Sequence, residues 1–148
     1  MKTLWNERDR RALTERLERL GPDAAARWGR FTATRMLSHV NDALRMSSGT
    51  LETSLKKTPL RFPVLKHAAV YFAPWPKGVP TVPELLARGE HASWDSERAA
   101  FPLAVDGFVN RPKDAELPLH PAFWRLSRHA WGRLAWRHID HHFRQFGG

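Results

Sequence analysis

Three of the chain's eight histidines fall within five positions, in the stretch Trp136-Arg137-His138-Ile139-Asp140-His141-His142-Phe143-Arg144-Gln145-Phe146. Wound as a helix at about 100° per residue, this stretch puts His138 and His142 on one face, separated by roughly 6 Å of rise. Trp131, Leu134, Ala135, Ile139, His142 and Phe146 form an apolar arc with His138 inside it. Arg133, Arg137, Asp140 and Arg144 take the opposite side, and His141 lies on the border beside the arginines. Two imidazoles one turn apart can converge on a single ion, as in the helical His-x-x-x-His half of zincin sites. The same pair could instead be core histidines held by hydrogen bonds, although burying two bases requires two sets of partners.

A third ligand candidate is His39, in a second amphipathic pattern from Thr34 to Met46. Met36, Val40, Ala43 and Leu44 form its apolar arc, and His39 sits at the edge of that arc next to Met46, where it could face a cleft between helices. Three neutral imidazoles, His39, His138 and His142, suit a divalent transition ion such as Zn²⁺, Ni²⁺ or Fe²⁺ better than Mg²⁺ or Ca²⁺. Such a site leaves positions open for water or substrate, and zinc can bring the pKa of its water down to ~7. Other polar residues compete for supporting roles. Asp42 could orient an imidazole as an acceptor or be a surface carboxylate. Gln145 lies near the His138 direction and could reach the site or cap a backbone group. His120, just before Pro121, reads as an extra ligand, a pocket residue or a turn-stabilising acceptor. His67, His91 and His129 have no partners in pattern.

The elements that must position these residues are helical. Asn6 N-caps a first helix burying Leu13, Leu17 and Leu20, which Gly21-Pro22 ends. Residues 23–31 form a connector whose Trp28 and Phe31 pack on the bundle. Thr32 or Thr34 caps the His39 helix, and Gly49 stops it. An extra helix is expected over Phe62–Phe72, with Val64, Leu65, Ala68, Ala69 and Phe72 at helical spacing. Pro74, Pro76, Pro80 and Pro83 then impose an extended loop around Trp75, expected to pack down as a lid over the metal cleft; the alternative is that Trp75 plugs a gap in the core. Pro83 to Gly89 reads as one or two helical turns. Ser93 caps a helix with the stripe Trp94, Phe101, Ala104, Val105 and Phe108, which Pro102 should kink or shift. After a polar loop from Asn110 to Leu119, Ser127 caps the last helix. Strand patterning is weak throughout, so the fold class is all-α: a four-helix bundle with extra short helices and a proline-rich loop in its middle.

Composition bounds the function. The 148 residues fit a single domain, residues 1–148, and 42% apolar content is ordinary for a globular protein. No apolar run reaches the ~18–20 residues that span a bilayer. The first residues lack a signal peptide's apolar segment, so a cytoplasmic protein with no membrane partner is the expectation. Without cysteine, neither disulfides nor thiolate ligands are available. The net charge of +9 raises nucleic-acid binding, but the basic residues are scattered and no recognition motif accompanies them. A solvated arginine-rich surface is the stronger reading. No Ser-His-Asp spacing, Walker loop or dinucleotide fingerprint is present.

A histidine in the second helix followed by His-x-x-x-His in the last resembles the DinB-like (YfiT-like) metal-binding four-helix bundles. The finer resemblance is to an uncharacterised bacterial branch. It rests on Met36-Leu37-Ser38-His39-Val40-Asn41-Asp42, on His120-Pro121-Ala122-Phe123, and on Trp131-Gly132-Arg133-Leu134 running into His138 through Gly147. It spans the chain from about Trp28 to Gly147. One departure is Trp124, where a small residue, usually glycine, would be expected after the Phe. The resemblance implies a divalent metal that activates a low-molecular-weight thiol for S-transfer or a water for hydrolysis, with a small-molecule substrate; a homodimer is compatible with it. The competing readings are a non-catalytic binding or stress-related bundle and, behind it, a basic nucleic-acid-binding domain.

Overall fold

The computed structural model describes residues 1–78 and 81–148, and Pro80 of the expected lid lies outside the described residues. The elements are α1 (Glu7–Glu18), α2 (Ala33–Ser48), α3 (Pro63–Tyr71), α4 (Trp94–Val109) and α5 (Arg128–Gln145), with 3-10 turns at Pro59–Arg61, Pro83–Leu85 and Ala87–Glu90. The chain is all-helical among the described residues, and its one extended pairing is an isolated bridge between His120 and Trp124. The starts of the helices follow local chemistry. The side chains of Asn6, Thr32, Ser93 and Ser127 each accept a hydrogen bond from the N–H three residues on, satisfying a donor that the helix itself cannot. Gly49 ends α2 in the left-handed region at φ 80°, where glycine pays no Cβ penalty.

The helix α2 packs against α4 and α5, and α5 also meets α1 and α3. This arrangement buries α5 on more than the expected arc. Trp136 and Phe143, which the wheel leaves outside that arc, are both buried, Phe143 completely. Phe143 meets Phe101 of α4 at a 5.8 Å ring separation and lies 5.7 Å from the Arg16 guanidinium of α1. The opposite side of α5 is not simply solvated either. Arg137 donates to the Ala69 and Val70 carbonyls at 2.8 and 3.0 Å, and to that of Ala73. It thereby satisfies the C-terminal carbonyls that α3 leaves free. Arg16 pairs with Asp140 at 2.6 Å, both side chains largely shielded.

Proline at 102 does not shift the start of α4, which begins after the Ser93 cap and runs through it unbroken. Pro102 faces solvent, so the Arg98 carbonyl that loses its partner can turn to water. The expected helix in the middle segment forms, but only Val70 of α3 is buried. Phe62, Val64, Leu65 and Phe72 remain exposed. Their spacing encodes the helix but not the direction of its core.

A positive φ of 63° at Trp124 explains the departure noted there. The turn folds back so that His120 and Trp124 exchange both backbone hydrogen bonds at 2.9 Å, and this geometry favours glycine. Trp124 occupies it with its ring against the Arg61 guanidinium, 4.5 Å away.

Candidate metal centre

The long helix α5 presents His138 and His142 toward α2, which presents His39. Ligand nitrogens of the three rings all lie within 4.8 Å of one another, so they are close enough to hold one metal ion. Ring centroids are 4.9 Å apart for His39 with each of the others and 4.7 Å for His138 with His142. His39 is buried, while His138 and His142 keep partial access to solvent. His141 is not part of this group; its ring is turned away between Trp28 and Trp75, 5.6 and 5.9 Å off.

Hydrogen bonds fix which nitrogen of each ring faces inward. A carbonyl can only accept, so the His39 Nδ1 lying 3.2 Å from the Leu85 oxygen carries the proton. The Gln145 amide donates from Nε2 to the Trp28 carbonyl at 2.6 Å, which leaves its Oε1 to accept from His142 Nδ1 at 2.9 Å. Both rings therefore turn an Nε2 lone pair to the centre, the arrangement that partners of metal-bound histidines impose. His39 Nε2 stands 3.1 Å from His138 Nε2. Two lone pairs cannot face each other at that distance unless a proton or a cation lies between them. Two nitrogens ~2.0–2.1 Å from a tetrahedral zinc would be roughly 3.3 Å apart. The residues present fit a metal ion.

Burial and mutual proximity keep these rings uncharged. Desolvation is the main cause in each case. It lowers the His39 pKa against the pull of the Leu85 carbonyl, and brings His142 to about 3 with help from His39. It holds His138 well below the usual range, assisted by the neighbouring histidines. Neutral imidazoles at pH 7 are ready to ligate without first losing protons.

An ionic clamp with two buried carboxylates lies next to the turn that carries the Leu85 carbonyl. Asp42 and Glu97, each with a side chain almost wholly inaccessible, both pair with Arg88, at 2.8 and 3.2 Å. Asn41 adds a 2.7 Å bond to Glu97. Arg88 belongs to the turn that follows Leu85, so the clamp pins that turn between α2 and α4. Asp42 thus does not orient an imidazole. Three residues on from His39 it is rotated about 60° around α2, toward Arg88, and the acceptor for His39 is a backbone oxygen. The sequence offered no sign of Leu85 in that role, because every residue carries a carbonyl. Glu97 lies in the first turn of α4, where an acid also suits the helix dipole and so does not stand out in the sequence.

His120 also stands apart from the three. Its Nδ1 accepts from the Ala122 and Phe123 N–H groups at 3.1 and 3.2 Å, so it serves its own turn. Burial lowers its pKa to about 3. Trp75 lies beside the centre, its ring 5.8 Å from His138 and its indole N–H bonded to the Ala69 carbonyl at 3.2 Å. Phe31 of the connector covers the other side, 5.4 Å from His39 and 6.0 Å from His142. Lys77 rests over Trp28, 4.7 Å from its ring centre.

No helix among the described residues is long and apolar enough to cross a membrane. No curated protein and no solved structure matches the chain. A family model matches residues 7–147, which take in all three histidines, and the chain belongs to that family, the proteins of unknown function termed DUF1569.

Proposed function

We propose that this chain is a metal-dependent enzyme built as a DinB-like four-helix bundle of α1, α2, α4 and α5. In this reading His39, His138 and His142 hold a divalent transition ion of the Zn, Ni or Fe class. The observation that carries it is the convergence of three neutral imidazoles, two of them fixed as Nδ1–H tautomers by Leu85 and Gln145. The ion would supply Lewis acidity, activating a low-molecular-weight thiol for S-transfer or a water for hydrolysis. The chain's own residues do the rest. Leu85 and Gln145 hold the ligand rings in register. Phe31 and Trp75 wall the centre with apolar surface, which favours a small-molecule substrate with an apolar body.

Metal analysis of protein purified without an affinity tag and reloaded with each ion tests the reading. Close to one ion per chain is expected, lost in His39→Ala and His142→Ala and kept in His141→Ala. Protein that retains none of the three ions, or that loses its metal through His141 alone, rules it out. Incubation of loaded protein with an electrophile, with and without a small thiol, then separates S-transfer from hydrolysis.

A further inference from the structure

The helix α3 turns its apolar side away from the protein. On its wheel Val64, Leu65, Ala68 and Phe72 spread over roughly 100° on the side opposite Val70, its one buried residue. Val64 is 80% exposed, Phe72 68% and Phe62, just before the helix, 67%. Side chains this exposed stand proud of the surface; they do not line a groove that could receive a peptide.

The charge of the sequence around this helix is one-sided, although Lys56 and Lys66 each donate to a backbone carbonyl, of Thr81 and Arg125. From Thr53 to Pro83 the sequence holds no Asp or Glu, and it holds Lys56, Lys57, Arg61, Lys66 and Lys77. At the edge of this segment Glu84 accepts from the Ser54 N–H and hydroxyl at 2.8 and 2.6 Å. Partly exposed Trp124 joins the patch through Arg61.

We infer that this face docks on an anionic lipid surface. Protruding phenylalanine and valine side chains on an acid-free basic segment are the pattern of interfacial helices, whose apolar side enters the headgroup boundary while the lysines meet anionic headgroups. Nine residues of α3 are far too few to span a bilayer, so the contact is peripheral. A second copy fits less well, because a symmetric contact would bring two such basic segments together. The inference is independent of the metal reading.

Flotation with vesicles of equal parts phosphatidylglycerol and phosphatidylcholine tests it, alongside phosphatidylcholine vesicles and light scattering of the protein alone. The wild type should float with the anionic vesicles and not with the neutral ones. Phe62→Ser/Phe72→Ser should weaken binding about tenfold or more with an unchanged melting temperature, since both rings are already exposed. Lys57→Glu, at an exposed lysine, should weaken it too. The inference fails if the wild type stays unbound, or if binding ignores the phenylalanine substitutions and so reflects net charge alone. It fails equally if light scattering shows a dimer that those substitutions dissociate, which would assign the face to a second copy.

Discussion

Whether a histidine can ligate a metal depends on what its other nitrogen does, and Gln145 accepts from that nitrogen of His142. Gln145 is itself set by the Trp28 carbonyl, and the chain there must pass close. A Cβ at Gly29 would lie 2.7 Å from Gln145 Nε2, and the φ of 79° already favours glycine. Gln145→Leu should lower zinc affinity about 10–100-fold, read by competition with a chelator, while leaving the helical circular-dichroism signal unchanged. An unaltered affinity would mean that the ring needs no such partner. Trp124 makes the contrary case of a residue whose identity opposes its backbone. Relief of left-handed strain, about 1–2 kcal/mol, offsets the lost Arg61 contact of about 0.5–1 kcal/mol and the greater chain entropy of glycine. Trp124→Gly should therefore change stability by no more than about 1 kcal/mol. The deeply buried Trp131 should cost about 3–5 kcal/mol on truncation to alanine. Urea midpoints of the two variants give the comparison.

Among the elements, the turn from Pro83 to Glu90 matters most to the site, because it carries both Arg88 of the ionic clamp and the Leu85 carbonyl that holds His39. Arg88→Met leaves two buried carboxylates without their main countercharge. The full penalty for an orphaned buried pair is about 3–5 kcal/mol. Arg88 is itself 42% exposed, so water screens part of the interaction and about 2 kcal/mol is expected. The variant should also bind zinc more weakly, since the Leu85 carbonyl loses its anchor. Arg88→Lys should recover only part of both, because an ammonium cannot bridge two carboxylates as a guanidinium fork does. A stability loss with wild-type zinc affinity would show that Leu85 keeps its place without the clamp.

At the scale of the molecule, buried neutral histidines set how stability follows pH. His120, with a folded pKa of about 3, titrates near 6.5 once unfolded. Between these values the unfolded chain binds the extra proton, so stability rises with pH across that window and levels off above about 6.5. Denaturant midpoints should fall steadily from pH 7 to pH 4 and stay flat from pH 7 to pH 8.5. Replacing His120 with Leu should shallow the acid slope. A profile flat down to pH 4 would contradict the burial of these rings. The formal +9 is likewise partly committed to structure: Arg16, Arg88 and Arg137 hold helices together and are not freely solvated.

Local chemistry was enough to read the caps at Asn6, Ser93 and Ser127, the glycine stop at 49 and the all-helical class, because caps and helical spacing act over three or four residues. The shared face of His138 and His142 follows from the same periodicity. Other features depend on groups far apart in the chain. The approach of His39 to that pair joins positions 99 residues apart, and spacing within one helix cannot specify which face of another it meets. The choice of a backbone oxygen at Leu85 over Asp42 as the partner of His39 depended on where a loop comes to rest, and so did the burial of Glu97 beneath Arg88. The outward face of α3 is the clearest instance. Its apolar spacing is that of a core helix, but α5 meets it on the Val70 side, and packing alone left the other side uncovered.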